Sequence, residues 1–113
     1  MSHWDRTREA GPLTVRVEQA GDALMVRASG DLIRSTAPTF EAELRMVICG
    51  GASTVDLDLG GVGLIDRTGL RSMIRMGDHS VRAGSRLRMR CASRPVRRAI
   101  ERGGFDRLLP LAD

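Results

Sequence analysis

Leu13, Val15 and Val17 alternate with Thr14, Arg16 and Glu18, and beyond a Gly21-Asp22 turn Leu24, Val26 and Ala28 alternate with Met25, Arg27 and Ser29. A period of two sends one set of side chains to a core face and the other to water, so the spacing predicts two strands. So short a link predicts an antiparallel hairpin, because a parallel pair needs a crossover of a dozen or more residues. After Gly30-Asp31 the period changes. Phe40, Leu44, Val47 and Ile48 recur at helical spacing and leave Glu41, Glu43 and Arg45 for solvent. Ser35-Thr36-Ala37-Pro38 opens that helix with a hydroxyl to cap it and a proline in the first turn, and Gly50-Gly51 stops it.

Val55, Leu57 and Leu59 alternate with Asp56 and Asp58 to give a third strand, followed by a glycine-rich loop, Gly60-Gly61-Val62-Gly63. Leu64-Ile65 is expected to turn inward. Asp66-Arg67-Thr68-Gly69-Leu70 begins a second helix with Leu70, Met73, Ile74, Gly77 and Val81 as its buried stripe, ending at Gly84. Leu87, Met89 and Cys91 alternate with Arg88 and Arg90 in a fourth strand. Ser93 to Gly103 forms a third helix with Val96, Ala99 and Ile100 inward, and Phe105, Leu108, Leu109 and Leu111 are expected to tuck the C-terminus against the core. Strands alternating with helices indicate an α/β fold with parallel neighbours, and the hairpin makes the sheet mixed, with four to five strands. Each strand keeps one polar side, so the helices pack mainly on one face. Arg16, Arg27, Arg88 and Arg90 then share the open face with Asp56 and Asp58, as a surface of opposite charges or, alternatively, a ligand site.

Composition narrows the class. A chain of 113 residues, 42% hydrophobic and 28% charged, has material for one core, so residues 12–113 are expected to form one domain behind a flexible, polar tail of residues 1–11. No stretch is long and apolar enough for a signal peptide or membrane span, which gives a cytoplasmic expectation without membrane insertion. Cys49 and Cys91 lie in apolar-periodic segments and form no metal-ligand spacing with His3 or His79, so both read as buried free thiols. The formal charge is +4 and all 18 basic residues are Arg, but they are interleaved with 14 acids, and one Trp and two Phe offer little for base stacking. Direct nucleic-acid binding is not expected.

No catalytic constellation stands out. His79 and His3 have no sequence-visible nucleophile to serve, and Gly60-Gly61-Val62-Gly63 lacks the Lys and Ser/Thr of a P-loop and the spacing of a dinucleotide-binding turn. No cofactor, metal or enzyme activity is expected. The one cluster with a specific physical meaning is Asp66-Arg67-Thr68-Gly69-Leu70, which presents Thr68 at a helix N-terminus. Free backbone donors and the helix dipole favour negative charge there, so the site tolerates a phosphate on Thr68, with Arg67 or Arg71 as partners. The alternative is that Asp66 or Thr68 simply caps the helix.

Three landmarks in order, Gly30-Asp31-Leu32 with Thr36-Ala37, Val55-Asp56-Leu57-Asp58-Leu59 with Asp66-Arg67-Thr68-Gly69-Leu70, and Pro95-Val96 with Gly103-Gly104-Phe105, resemble the anti-sigma factor antagonists, which are STAS domains. The resemblance spans about Leu13 to Leu111. It implies a STAS fold and a partner-switching role in sigma-factor-dependent transcription. The unphosphorylated antagonist binds an anti-sigma factor with a kinase-type ATPase fold, and phosphorylation by that partner breaks the contact. Thr68 would be the phosphate acceptor, and Asp66 matches the family's acid two residues earlier. Ile33, Arg34, Ser35 and Thr36, with Asp66, Arg67, Gly69, Leu70 and Arg71, would form the partner face. Two departures bear on that role: Arg67 stands where many members have Ser, and Ile33 where an Asp is frequent. The alternative within the family is a non-switching interaction subunit of a stress-signalling scaffold or lipid transporter complex.

Overall fold

The structure is a computed structural model that describes residues 4–103. Its elements run β1 (Arg6–Ala10), β2 (Leu13–Ala20), β3 (Ala23–Leu32), α1 (Ala37–Cys49), β4 (Thr54–Ile65), α2 (Arg67–Arg82), β5 (Arg86–Ala92) and α3 (Arg94–Gly103). The five strands lie in chain order, β1-β2-β3-β4-β5. β1 and β2, and β2 and β3, pair antiparallel, while β3 with β4 and β4 with β5 pair parallel across the helical crossovers. This is the expected mixed α/β sheet with its helices mainly on one face. The core seats Phe40, Leu44 and Val47 of α1 and Met73 and Met76 of α2 over Val15, Val26, Leu57 and Met89 of the sheet. Each such side chain contributes about 1.5–3 kcal/mol on leaving water.

The first departure is at the N-terminus. Where the sequence predicts a flexible tail, Arg6–Ala10 forms an edge strand in register with β2, Arg6 opposite Val17 and Ala10 opposite Leu13. No apolar alternation announces this strand, because a tertiary ion pair helps hold it: Arg6 Nη2 lies 2.9 Å from Glu43 Oε1 on α1. Glu43, expected in water, is therefore buried beneath β1. The two atoms are close but not aligned as a hydrogen bond, so the attraction is chiefly one of charge. Trp4 secures the same end by lying so close to Gly50 that a Cβ there would meet its ring at 2.2 Å.

The glycine-rich stretch is not a loop but the second half of β4. Arg27 pairs with Asp58, Ser29 with Gly61, Gly30 with Val62 and Asp31 with Leu64, so β4 carries two more residues than β3 over this span. Each extra residue is a bulge, and glycine suits such close packing: a Cβ on Gly61 would stand 2.8 Å from Ser29 Cβ. The first bulge turns Val62 inward and the second restores the original alternation, which puts the neighbours Leu64 and Ile65 on opposite sides. Ile65 pairs with the buried Leu32 as expected, but Leu64 pairs with Asp31 and is 53% exposed, not inward.

A third bulge explains Cys91. Met89 pairs with Leu57 but Cys91 with Asp58, so Arg90 is an extra residue in β5 and Cys91 swings to the side of Asp58. Its thiol is exposed, as is that of Cys49 at the last residue of α1, one position past the buried Ile48; neither is the buried thiol that periodicity suggests. Helix α2 is rotated relative to its predicted stripe. Gly69, Ser72, Met73, Met76 and Ser80 are buried, and Val81 is exposed. Small serines let α2 approach its neighbours, and Ser80 Oγ satisfies itself by donating to the Gly77 carbonyl at 2.7 Å.

The open face of the sheet carries the expected charge lattice. Arg27 bridges Glu18 and Asp58, and Arg88 grips the buried Asp56 with two hydrogen bonds of 2.8 and 3.1 Å. Those bonds and the carboxylate charge raise the Arg88 pKa above its ordinary value, leaving it cationic throughout the accessible pH range. The predicted packing of Phe105, Leu108, Leu109 and Leu111 lies outside the described residues.

Candidate functional site

The parallel strands β3 and β4 end side by side, and two segments leave their carboxyl ends: residues 33–36, leading into α1, and Asp66, leading into α2. Asp66 joins them. Its Oδ1 accepts the Gly69 amide at 2.8 Å, capping α2, and its Oδ2 accepts the Arg34 amide at 2.9 Å in the neighbouring segment. Its own amide donates to the Leu32 carbonyl at 3.3 Å. The aspartate is thus the cap that the sequence offered as one alternative, and it orients the adjoining loop as well.

Thr36 holds the other side. Its hydroxyl accepts from the Ile33 amide at 2.9 Å and is 2.7 Å from the Asp31 carbonyl, to which it donates its one proton. It stands at the N-cap position of α1 but makes no side-chain capping bond, contrary to expectation, because the hydroxyl is turned back into the loop. Thr36 is buried, 2% exposed, so it shapes the loop and offers nothing to an incoming partner. Gly69 is equally internal. A Cβ there would lie 2.2 Å from the Leu32 carbonyl oxygen, so only glycine lets the first turn of α2 sit this close to β3. The remaining predicted face residues come to one surface: Arg34, Ser35, Arg67 and Arg71 are exposed, and Ile33, Asp66, Thr68 and Leu70 are partly so.

Thr68 is the second residue of α2, and among the described residues its hydroxyl has no hydrogen-bond partner. The amides of Arg67 and Thr68 are also unclaimed there, whereas those of Gly69 and Leu70 are held by Asp66. The guanidinium groups of Arg34, Arg67 and Arg71 have no ion-pair partner among the described residues. A partly exposed hydroxyl, free helix donors and uncompensated cations together make a surface that receives an anion readily. Each Asp66 oxygen already accepts a backbone amide, and no group of His, Cys, Asp or Glu that could hold a metal occurs among the described residues.

The sequence reading missed the Arg6–Glu43 pair and the exposure of Leu64. Only the isolated glutamate on an otherwise apolar helix face and the paired glycines of β4 hinted at them.

The family model described as "Mlab, STAS domain" matches residues 15–110. No curated protein sequence matches this one significantly. Among solved structures, an anti-sigma factor antagonist from Mycobacterium paratuberculosis superposes with a TM-score of 0.79 at 23% identity, covering 88% of this chain and 84% of that one. The anti-sigma factor antagonist SpoIIAA in its unphosphorylated form gives 0.71 at 17% identity over 88% of each. A domain of the murine solute carrier 26 family member A9 anion transporter gives 0.66 at 17% identity, covering 80% of this chain and 15% of the transporter. At these identities the structural likeness carries the fold, and the match to the sequence model carries the family. With that match across most of its length and the mixed sheet that accompanies it, the chain belongs to the STAS-domain family.

Proposed function

We propose that the protein is an anti-sigma factor antagonist. Unphosphorylated, it docks on an anti-sigma factor with a kinase-type ATPase fold, and it is released once Thr68 is phosphorylated. The observation that carries this reading is the Thr68 hydroxyl, partly exposed at the start of α2 and, like the cations of Arg34, Arg67 and Arg71 on the same surface, without a partner among the described residues. The likeness to anti-sigma factor antagonists, SpoIIAA among them in both unphosphorylated and phosphorylated forms, supports it. In the reaction, Thr68 Oγ1 bonds to the γ-phosphorus of ATP held by the partner, ADP leaves, and the hydroxyl proton passes to a base of the partner. The product adds about −2 charge near neutral pH where the site already favours an anion, so the fold tolerates it while a protein docked over that helix end does not. The protein itself is the phosphate acceptor, not the enzyme, and acts in the cytoplasm. Among the described residues no helix is long and apolar enough to cross a membrane.

The test combines the kinase-type anti-sigma partner and ATP with wild type, Thr68→Ala and Thr68→Glu. Phosphate is expected on Thr68 alone, Thr68→Ala should bind without being modified, and Thr68→Glu should bind at least about tenfold more weakly. An unmodified Thr68 together with undiminished binding by Thr68→Glu overturns the switch. A second reading, a non-switching subunit of a scaffold or lipid transporter complex, draws on the transporter domain of the same shape and on the bulky cation at Arg67. It predicts a complex that forms equally with Thr68→Ala and Thr68→Glu.

A further inference from the structure

Among the described residues, seven arginines outside the Thr68 face have an ion-pair partner. Arg6 and Arg8 face Glu43, Arg45 and Arg75 face Glu41, Arg16 and Arg27 face Glu18, and Arg88 faces Asp56. Arg82, Arg86 and Arg90 are also exposed without an ion pair among the described residues, but only helix α3 arranges such arginines in a row. Arg94, Arg98 and Arg102 recur every four residues along one of its faces, about 6 Å apart along the axis, and all three are exposed. Among the described residues none of them has an ion-pair or side-chain hydrogen-bond partner.

This row forms one wall of a groove of about 270 Å³ whose other wall is the end of β4. Leu64, Ile65, Pro95 and Ala99 supply the apolar lining, and among the described residues Leu64 and Val81 are the large aliphatic side chains left more than half exposed. The groove has room for about nine waters at liquid density, ample for one aliphatic side chain with water remaining beside it. It owes its existence to the β4 bulge beside Gly63, without which Leu64 would point the other way.

We propose that this groove docks an acidic segment of a partner protein, one that lays a leucine-like side chain on Leu64 and sets carboxylates against Arg94, Arg98 and Arg102. Charge complementarity argues for an anionic occupant, and the recessed apolar floor selects among anions. A nucleic-acid strand would find no aromatic ring among the lining residues to stack on. A lipid surface would require an apolar face free to insert, but α3 spends Val96 and Ile100 on the core. An amphipathic acidic helix repeats its carboxylates at the same four-residue rise as the arginines and presents an aliphatic row beside them. Because Leu64 and Ile65 directly precede Asp66, the segment would lie alongside the Thr68 face. The inference needs only the groove, and it stands or falls independently of Thr68 phosphorylation.

The test uses the full chain and a fluorescein-labelled peptide of alternating glutamate and leucine at helical spacing, followed by anisotropy. Saturable binding is expected, weakening between ~50 and ~500 mM salt. Arg98→Glu should lower affinity about tenfold or more and Leu64→Ser severalfold. Arg90→Glu, an equal charge change on β5, should leave it within about twofold. Thermal melts of each variant exclude loss of fold as the cause. The proposal is overturned if Leu64→Ser or Arg98→Glu binds like wild type, or if Arg90→Glu weakens binding as much as Arg98→Glu. It is equally overturned if a leucine-free polyglutamate peptide, phosphatidylglycerol vesicles or a single-stranded oligonucleotide binds more tightly with the same Arg98 dependence. Sedimentation showing that a second copy of the chain already fills the groove would overturn it as well.

Discussion

Replacing Gly69 with alanine sets two effects of opposite sign against each other. A helix gains up to about 1 kcal/mol when glycine becomes alanine, partly because the unfolded chain loses freedom. Against this, the added Cβ would lie 2.2 Å from the Leu32 carbonyl oxygen and 3.0 Å from both Leu32 C and Cγ. A carbon and a carbonyl oxygen normally rest about 3.3 Å apart, so the start of α2 must retreat by roughly 1 Å. The nearest obstacle is backbone and cannot rotate aside, so the cost should sit at the upper end of overpacking, about 3 kcal/mol. The clash wins, and a net loss of about 2 kcal/mol is expected, read in urea as a midpoint roughly 1 M lower. Retreat of α2 also pulls Asp66 away from the Arg34 amide, so hydrogen exchange at Arg34 and Gly69 should accelerate. Gly63→Ala is the control: nothing lies within 4 Å of a Cβ there, and its stability should be unchanged or up to about 1 kcal/mol higher. A Gly69→Ala protein as stable as wild type would refute the close-packing argument and the account of the glycine after Thr68.

Asp66→Ala should lose about 1–2 kcal/mol by chemical denaturation, the usual worth of a cap, and Asp66→Asn should restore part of it. Arg6→Ala should cost about 3 kcal/mol, the low end for a broken buried pair because Arg6 is 34% exposed. In that pair the double variant with Glu43→Ala should lose less than the sum of the singles, since a stranded buried carboxylate is the costly species; strict additivity in the mutant cycle would count against the pair. Native protein should titrate two thiols with a disulfide reagent without denaturant, and a requirement for denaturant would contradict the outward turn of Cys91.

Where period and burial coincide, the sequence is a good guide. The β2–β3 hairpin, the apolar stripe of α1 and the strand through Leu57 were all legible because each side chain's destination follows from local alternation. It misleads wherever one residue is added to a strand. The extra residue near Gly60 turns Val62 inward and the one near Gly63 restores the alternation, so the neighbours Leu64 and Ile65, expected inward together, fall on opposite sides, while Arg90 inverts the sense of Cys91; none of this alters the hydrophobicity of any residue involved. β1 was illegible for another reason: it has no apolar face, and it is held by backbone pairing and by a charge on a helix more than thirty residues away. At the candidate site, the helix start at Thr68 followed from residue chemistry. The burial of Thr36 and the second hydrogen bond of Asp66 depend on distant backbone that no local pattern encodes.

That one carboxylate has a mechanical consequence. Each Asp66 oxygen grips a different crossover, so the turn bearing Ser35 and the turn bearing Thr68 are fastened together at a common rivet. A visitor that tugs on either must displace both. A shift of either turn therefore strains a hydrogen bond that also anchors the other.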